Sequence, residues 1–212
     1  TMGSMIKEKL IGGQIIYPLI DENWEIDIRI KKLVLDEINN IGAHISIDLG
    51  GYWVIGGTQR SLDILLKKLP KNDTYPFQLP FHAAFHTPLL EKVSKKAFDL
   101  IDPTIFGKPT TPLIDGRGKI WSTISTDTEE LMSYTLGHQV LETYDFTSSI
   151  TVAIKEFCPD ILILLGPGNS LGGPVGQILT KNNWLGMKSK NDFTDLQAND
   201  PFILSMGLEE QR

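Results

Sequence analysis

The order of apolar segments in the first eighty residues is the feature that most limits how this chain can fold. Runs with strand-like composition alternate with runs of helical periodicity, and the Gly50-Gly51 pair between two short strands is typical of a β-hairpin. The pattern predicts strands over 14–20, 43–49, 52–55 and 78–82, with helices over 23–38 and after Thr58. A strand–helix–strand–strand–helix–strand order is the ferredoxin-like arrangement, so we expect residues 1–80 to form a ferredoxin-like small subdomain.

Residues 81–182 have a different pattern, in which helices and longer connections accompany one apolar strand. Helices are predicted to follow Thr87, the capping box of Thr126 and Glu129, and Asp145. The continuous apolar run 161–165 is typical of a strand that is covered on both faces of a parallel sheet. The fold class is therefore α/β, with 81–182 as part of a large α/β domain and 183–212 as a C-terminal extension. We expect this extension to pack across the domain, and a segment that binds a partner fits the same sequence.

Composition excludes several classes of partner. The 212 residues carry a formal charge of -6 and have an isoelectric point near 5.2, whereas a surface for nucleic acid or an anionic membrane needs clustered Lys and Arg. The sequence shows no secretory signal and no apolar span of about twenty residues. Its single cysteine, Cys158, rules out an internal disulfide. We therefore expect a cytoplasmic protein in which Cys158 is buried as a small apolar residue.

The stretch Leu79–Leu90 contains the strongest candidate for a chemical role. Its second half predicts a helix entry, with Thr87 as N-cap and Pro88 at the first helical position, which places His86 at a helix N-terminus. The positive end of a helix dipole disfavours a protonated imidazole, and a general base requires a neutral one. A hydrogen-bonded histidine with a structural role fits the same pattern, and the residues alone leave both interpretations open.

Several motifs resemble those of one enzyme family. The run Leu79–Leu90, with the letters LPFHAAFHTPLL, resembles the histidine motif of the malonyl-CoA:acyl-carrier-protein transacylases and of the acyltransferase domains of fatty-acid and polyketide synthases. Gly50–Gly57, Gln139–Ile150 and Gly166–Gly173 also resemble segments of that family. The resemblance implies an α/β-hydrolase-like acyltransferase domain that carries a ferredoxin-like subdomain, of which this chain covers the C-terminal part.

The resemblance also implies a reaction. In the family, a serine takes the malonyl group from malonyl-CoA and passes it to the phosphopantetheine thiol of acyl carrier protein, without a cofactor or metal. His86 matches the histidine that activates the serine, and Gln139 matches a glutamine whose backbone carbonyl holds the imidazole. Phe85 matches an aromatic position that accompanies malonyl selectivity. Gly166 and Gly168 match the turn that closes the large domain next to the active site, so we expect them at the substrate site, where glycine permits a positive φ and a close approach.

Three parts of the family pattern are missing from this sequence, one of them the N-terminal Gly-Gln-Gly segment that helps to form the oxyanion hole. The Gly-His-Ser-x-Gly motif of the nucleophile does not occur before the small subdomain, and neither does the Arg-Gly whose arginine binds the malonyl carboxylate. We therefore expect residues 1–212 to be the histidine-bearing, C-terminal part of a transacylase. Such a part would be inactive alone, and its N-terminal segment would belong to the same polypeptide or to a companion chain.

Two other functions are consistent with the sequence. A chain that keeps the fold without the nucleophile would be a binding or scaffold module for acyl carrier protein or for a catalytic partner. A serine hydrolase would use Ser170 in the formal Gly-x-Ser-x-Gly of 168–172, although Gly166-Pro167 breaks the preceding strand too early for a nucleophile elbow. The remaining histidines, which lack partners at metal-ligand spacing, are His44, His82 and His138.

Overall fold

The structure is a computed structural model that describes residues 11–211. Its strands are β1 (Gly13–Pro18), β2 (His44–Leu49), β3 (Tyr52–Gly57), β4 (Phe77–Gln78), β5 (Leu113–Ile114), β6 (Ile120–Trp121), β7 (Tyr144–Asp145), β8 (Leu162–Leu164) and β9 (Ile203–Ser205). Its helices are α1 (Ile28–Ile41), α2 (Gln59–Lys68), α3 (Glu91–Leu100), α4 (Thr128–Ser133), α5 (Gln139–Leu141), α6 (Phe146–Phe157), α7 (Gly172–Lys181) and α8 (Lys190–Asn199). The predicted α/β class is confirmed. None of these helices combines the length and the apolar character that crossing a membrane requires.

The first part of the chain forms the predicted ferredoxin-like sheet. β1 pairs antiparallel with β3 and β4, and β3 pairs antiparallel with β2, which produces the strand order β4-β1-β3-β2. β7, from a later part of the chain, adds in parallel to the outer edge of β2. The sheet of the small subdomain is therefore joined to residues that follow His86 in the sequence.

Local signals account for most ends of these elements. Gly50 has a φ of 67° and turns β2 into β3, as the Gly-Gly pair predicts. The Thr58 hydroxyl oxygen caps α2 by accepting a hydrogen bond from the Ser61 amide. The predicted start of the first helix is wrong, because the Asp27 carboxylate supplies the cap and α1 begins only at Ile28.

The small subdomain has its own apolar core, between its sheet and helices α1 and α2. Two strands and both helices contribute side chains that are buried from solvent. They include Ile15, Tyr17, Val34, Ile38, Trp53, Ile55, Leu62 and Leu65. Burying one such side chain stabilises a fold by about 1.5–3 kcal/mol. This cluster therefore stabilises β1 and β3, the central strands of the sheet.

The end of the chain forms a second apolar cluster. Helices α6 and α7 pack against residues that follow α7, and β9 pairs in parallel with β8. The buried side chains of this cluster are Ile154, Val175, Leu179, Met187, Phe202 and Ile203. As predicted, the tail after residue 182 packs across the domain as far as the structure describes it.

The strand β8 differs from its prediction. It spans only Leu162–Leu164. The side chain of Ile163, in the middle of the strand, is 57% exposed, and that of Leu165, directly after it, is 82% exposed. The expectation of a strand covered on both faces is therefore wrong for residues 11–211. The second apolar cluster covers one side of β8, through Leu162 and Leu164, and leaves the other side open.

Two local predictions are also wrong. Asp127, not Thr126, caps α4, because its carboxylate accepts hydrogen bonds from two amides of the first turn, while the Thr126 hydroxyl donates to the Ser122 carbonyl. Cys158 is exposed rather than buried, in a left-handed conformation directly after α6. In both cases the sequence predicts the helix itself, and the error concerns a residue that flanks it.

Candidate active site

His86 lies in the connection between β4 and α3, where the two parts of the chain meet. Its φ of 55° falls in the left-handed region, which residues other than glycine adopt rarely. A 3-10 turn over Pro88–Leu90 follows, and α3 begins only at Glu91. Thr87 and Pro88 occupy the N-cap and first positions of this turn, as predicted, but the Thr87 hydroxyl caps no amide and donates a hydrogen bond to the Ala84 carbonyl at 2.7 Å instead. His86 therefore precedes a 3-10 turn and not the first turn of an α-helix.

The backbone of Gln139 fixes the imidazole of His86. The ring atom Nδ1 makes a short hydrogen bond with the Gln139 carbonyl oxygen. A carbonyl oxygen only accepts, so Nδ1 carries the proton and Nε2 has a lone pair. Among residues 11–211, no other hydrogen bond to this imidazole is present. The ring is thus held in the tautomer whose Nε2 can accept a proton.

Burial lowers the pKa of the His86 imidazole below its ordinary value of 6.5, and this effect outweighs the Gln139 carbonyl, which raises the pKa. The ring is therefore neutral at physiological pH, in line with the prediction. The cause differs from the expected helix dipole, because α3 begins five residues further along the chain. Loss of hydration is what disfavours the protonated ring.

One face of the imidazole contacts Tyr144. The two ring centroids are 5.5 Å apart, with the planes inclined by 49°. Tyr144 belongs to β7, and its pairing with Ile47 of β2 holds it in this place. Sequence reasoning assigned no role to Tyr144, because a strand of two residues has no periodic pattern that would indicate it.

An apolar pocket of about 340 Å³ opens beside the imidazole. Phe85, His86 and Gln139 line it together with one face of α3, which contributes Val93 and Ala97. The lining, as far as residues 11–211 provide it, contains no Lys or Arg. The pocket therefore suits an apolar or thioester group, and a carboxylate there would need a cation from elsewhere.

The two predicted glycines lie in a turn apart from this pocket. Gly166 and Gly168 have φ values of 91° and 75°, a conformation that other residues rarely adopt. The turn packs on Gly207, where an added Cβ would come within 2.0 Å of the Gly168 carbonyl oxygen. Neither glycine lines the apolar pocket. The structure therefore leaves both glycines outside the group around His86, and their contact with substrate stays a prediction.

Ser170 does not meet His86. It is exposed in the turn before α7, and no hydrogen bond joins it to the imidazole in the part of the chain that the structure describes. The preceding strand already ends at Leu164, so Ser170 does not lie on a strand-to-helix elbow. Residues 11–211 contain no group of three or more His, Cys, Asp or Glu side chains that could hold a metal.

The carbonyl of Phe85, directly before His86, accepts the last of three linked hydrogen bonds, whose middle residues Gln14 and Ser46 are buried. Ser46 Oγ donates to this carbonyl at 2.7 Å, and Gln14 Nε2 donates in turn to Ser46 Oγ. His82 Nδ1 donates to Gln14 Oε1 at 2.7 Å. Sequence reasoning missed Gln14 and Ser46. The only available signal was a polar residue inside each of two apolar strands.

Comparison with known proteins begins with sequence relatives. No family model matches the chain. A non-reducing polyketide synthase of Aspergillus fumigatus is 30% identical over 100 residues, which are 47% of this chain and 5% of that protein. This match covers too little of the synthase to transfer its activity.

Solved structures provide a broader likeness. An acyl-carrier-protein S-malonyltransferase from Bartonella henselae matches 99% of this chain with a TM-score of 0.63 and 20% identity. A malonyl-CoA:acyl carrier protein transacylase from Xanthomonas oryzae matches 99% with a TM-score of 0.66 and 14% identity. The acyltransferase domain from the second module of the salinomycin polyketide synthase matches 99% with a TM-score of 0.61 and 15% identity.

The chain therefore has the fold of the malonyl-CoA:acyl-carrier-protein transacylases and of polyketide synthase acyltransferase domains, and the resemblance seen in its sequence is confirmed at that level. It spans only part of these proteins. The matched portion is 59% of the Bartonella and Xanthomonas chains and 42% of the salinomycin synthase chain. Activity, substrate and partners therefore have to be argued from the site itself.

Proposed function

We propose that this protein is the histidine-bearing part of a malonyltransferase, in which His86 activates a serine from outside residues 1–212. The observation that carries the proposal is the hydrogen bond from His86 Nδ1 to the Gln139 carbonyl, because it leaves Nε2 able to accept the serine proton. A neutral carbonyl orients the ring without the strong increase in pKa that a carboxylate would cause. The fold shared with malonyltransferases supports the same reaction class.

The reaction would consist of two acyl transfers. The serine Oγ attacks the thioester carbon of malonyl-CoA while its proton passes to His86 Nε2, and the C–S bond breaks as the imidazolium returns the proton to the CoA sulfur. The phosphopantetheine thiol of acyl carrier protein then attacks the malonyl ester, and Nε2 moves the thiol proton to the serine Oγ. Malonyl-acyl carrier protein and CoA leave, and no cofactor is consumed.

Phe85 would favour malonyl over methylmalonyl groups. Its ring lines the pocket beside the imidazole and would occupy the space that a 2-methyl group needs. Excluding one methyl group is worth about 1–3 kcal/mol, so we expect a preference and not complete rejection. Because the pocket lining contains no Lys or Arg in residues 11–211, the malonyl carboxylate would be bound by an arginine from the segment that carries the serine.

The test requires the polypeptide that supplies the serine. The protein is purified from the cells that produce it, incubated with malonyl-CoA and digested, and the malonyl ester is located by peptide mass spectrometry. We expect the ester on a serine of a Gly-His-Ser-x-Gly motif, and we expect its transfer to acyl carrier protein to be lost in His86→Ala. An ester on Ser170, or transfer at an unchanged rate in His86→Ala, would contradict the proposal.

A second function is favoured by one observation, the lack of a Gly-His-Ser-x-Gly motif in residues 1–212. As a binding module, the chain would dock acyl carrier protein or a catalytic partner and perform no chemistry. Calorimetric titration of the 212-residue protein with phosphopantetheinylated acyl carrier protein measures this directly. Binding that His86→Ala leaves unchanged, with no malonyl ester on any co-purified chain, would favour the module over the enzyme.

A further inference from the structure

The backbone at His86 needs a support that fixes it. A residue other than glycine with a φ of 55° is disfavoured, and such a conformation persists only where surrounding groups determine it. Rotation of the peptide plane between Phe85 and His86 would relieve the strain, because this rotation changes φ of His86 together with ψ of Phe85. A group that fixes the Phe85 carbonyl therefore also fixes the backbone of His86.

Ser46 is such a group. Its Oγ donates a hydrogen bond to the Phe85 carbonyl oxygen at 2.7 Å, and Ser46 itself is 0% exposed, so water does not compete for its hydroxyl. Gln14 Nε2 lies 3.4 Å from the same oxygen and adds a longer hydrogen bond. The small subdomain thus supplies two donors to the carbonyl oxygen of Phe85.

The strand β2 is irregular at the point where it presents Ser46. Its register with β3 shifts between Ile45 and Ile47, so Ser46 is an extra residue with no partner across the ladder. A bulge of this kind turns a side chain out of the regular alternation of its strand, and bulges are frequent beside active sites. Here the bulged residue directs its hydroxyl to the Phe85 carbonyl.

The hydrogen-bond chain behind Ser46 has one direction. The Phe85 carbonyl only accepts, so Ser46 donates to it and accepts from Gln14 Nε2. Gln14 Oε1 consequently faces His82 Nδ1, which donates to it. His82 is exposed, but Gln14 and Ser46 are 1% and 0% exposed, and buried hydrogen bonds that share a direction strengthen one another. The three linked hydrogen bonds therefore hold the Phe85 carbonyl more firmly than the Ser46 hydroxyl alone would.

Close packing around His86 leaves this arrangement little freedom. A Cβ added at Gly56 on β3 would come within 2.7 Å of Thr87 Cγ2 and 3.4 Å of Ser46 Cβ. The residue after His86 thus lies directly on the sheet that carries Ser46. Thr87 and Ser46 therefore pack against the same glycine of β3.

We infer that Ser46 is a positioning residue for His86. By holding the Phe85 carbonyl, Ser46 fixes the left-handed backbone of His86 and keeps Nδ1 within hydrogen-bond reach of the Gln139 carbonyl. Gln14 supports Ser46 from the opposite side. The importance of this arrangement for catalysis rests on the proposed function, whereas the arrangement itself is a property of the 212-residue protein.

The substitution Ser46→Ala tests the inference, and Ser149→Ala is its matched control. Ser149 is also a buried serine, and its hydroxyl donates to a backbone carbonyl at the same distance of 2.7 Å, that of Asp115. Each substitution removes one buried hydroxyl donor, and each hydroxyl donates its shortest hydrogen bond to one backbone carbonyl; Ser149 Oγ also contacts the Asp145 carbonyl at 3.0 Å. Only Ser46→Ala removes a donor from the peptide bond next to His86.

The readout is the tautomer of His86, measured by long-range ¹H–¹⁵N NMR of the 212-residue protein at alkaline pH. We expect one Nδ1-protonated form in the wild type and in Ser149→Ala, a mixture of both tautomers in Ser46→Ala, and recovery in Ser46→Thr, which keeps the hydroxyl. A wild-type spectrum for Ser46→Ala, or an equal change in Ser149→Ala, would overturn the inference. If Ser46→Ala does not fold, Gln14→Met replaces it. We then expect a smaller shift of His86 toward a mixture of tautomers, and an unchanged tautomer would overturn the inference.

Kinetics separate this inference from the proposed function. In the serine-containing enzyme, Ser46→Ala should lower kcat by roughly ten- to a hundredfold at unchanged KM, because a misplaced base slows the chemical step without weakening substrate binding. Unchanged transfer in His86→Ala would defeat the proposed function alone. The NMR measurement would still decide whether Ser46 positions the ring.

Discussion

The two parts of the molecule that meet at His86 differ in how completely they bury their apolar residues. In the small subdomain, Leu62 and Leu65 are 0% exposed and belong to a core that its sheet and two helices close. In the later part, Ile163 and Leu165 on and beside β8 remain 57% and 82% exposed. The small subdomain therefore buries its own apolar core, whereas the outer face of β8 is not covered by any of residues 11–211. We call the small subdomain the closed part and the residues from 81 to 211 the open part.

The largest effect should come from a residue that belongs to neither core. His86→Ala should reduce malonyl transfer by about 10²–10⁴-fold, because it removes the general base, while the melting temperature changes little. Radiolabelled malonyl transfer to acyl carrier protein measures the rate, and His44→Ala serves as the control histidine. A melting temperature that falls in parallel with the rate would mean that His86 is part of the packing and not only of the chemistry.

A matched pair of truncations tests the difference between the two parts directly. Leu65→Ala should lower the free energy of unfolding by about 2–5 kcal/mol, because it opens a cavity in a closed core. Ile163→Ala, at an exposed position, should lower it by less than about 0.5 kcal/mol. Urea unfolding followed by circular dichroism measures both variants. Equal losses would remove the contrast between the closed and the open part.

Selectivity should change at the boundary between the two parts. Phe85→Ser should raise the kcat/KM for methylmalonyl-CoA relative to malonyl-CoA by about 10- to 200-fold, because it makes room for one methyl group in the pocket. Phe85→Tyr, which keeps the ring, is the control. An unaltered ratio of the two kcat/KM values would show that Phe85 serves packing alone.

A smaller loss should follow from a helix cap in the open part. Asp127→Ala should lower the free energy of unfolding by about 0.5–2 kcal/mol, since the carboxylate caps the first amides of α4. Thr126→Val should cost less, because the Thr126 hydroxyl caps no helix. Thermal unfolding of the two variants compares them, and the reverse order would restore the capping box that the sequence predicts.

The smallest effect should be a dependence of stability on pH. Because burial lowers the pKa of folded His86 below its unfolded value, the unfolded protein binds more protons at acid pH. The contribution of His86 to the free energy of unfolding should therefore be complete above about pH 6.5 and decline as the pH falls toward the folded pKa. Unfolding measured between pH 8 and pH 5 should show a shallower decline in His86→Gln, and an identical decline would exclude this contribution.

The closed part could be predicted well because its signals are local. The Gly50-Gly51 turn and the Thr58 cap lie within a few residues of the elements that they end, and the strand order follows from the sequence of elements. The bulge at Ser46 could not be predicted, because its purpose is a hydrogen bond to a carbonyl 39 residues further along the chain. No pattern within a strand indicates such a partner.

The open part and the site depend on tertiary contacts. The apolar run 161–165 predicts burial, but it does not show which atoms would provide that burial. The contact between His86 and Gln139 joins residues 53 positions apart, and it could be expected only from the family resemblance. From the residues alone, Gln139 is an ordinary polar residue near a helix end, and Tyr144 carries no signal at all.

The exposed strand has a practical consequence for work with the purified protein. In the part of the chain that the structure describes, β8 pairs with β9 alone, so its other edge offers free amide and carbonyl groups next to Ile163. An uncovered edge of this kind is a template for extended peptides, including a second copy of itself. Concentrated solutions should therefore self-associate, and Ile163→Lys should keep the molecules apart by placing a charge where two such edges would meet.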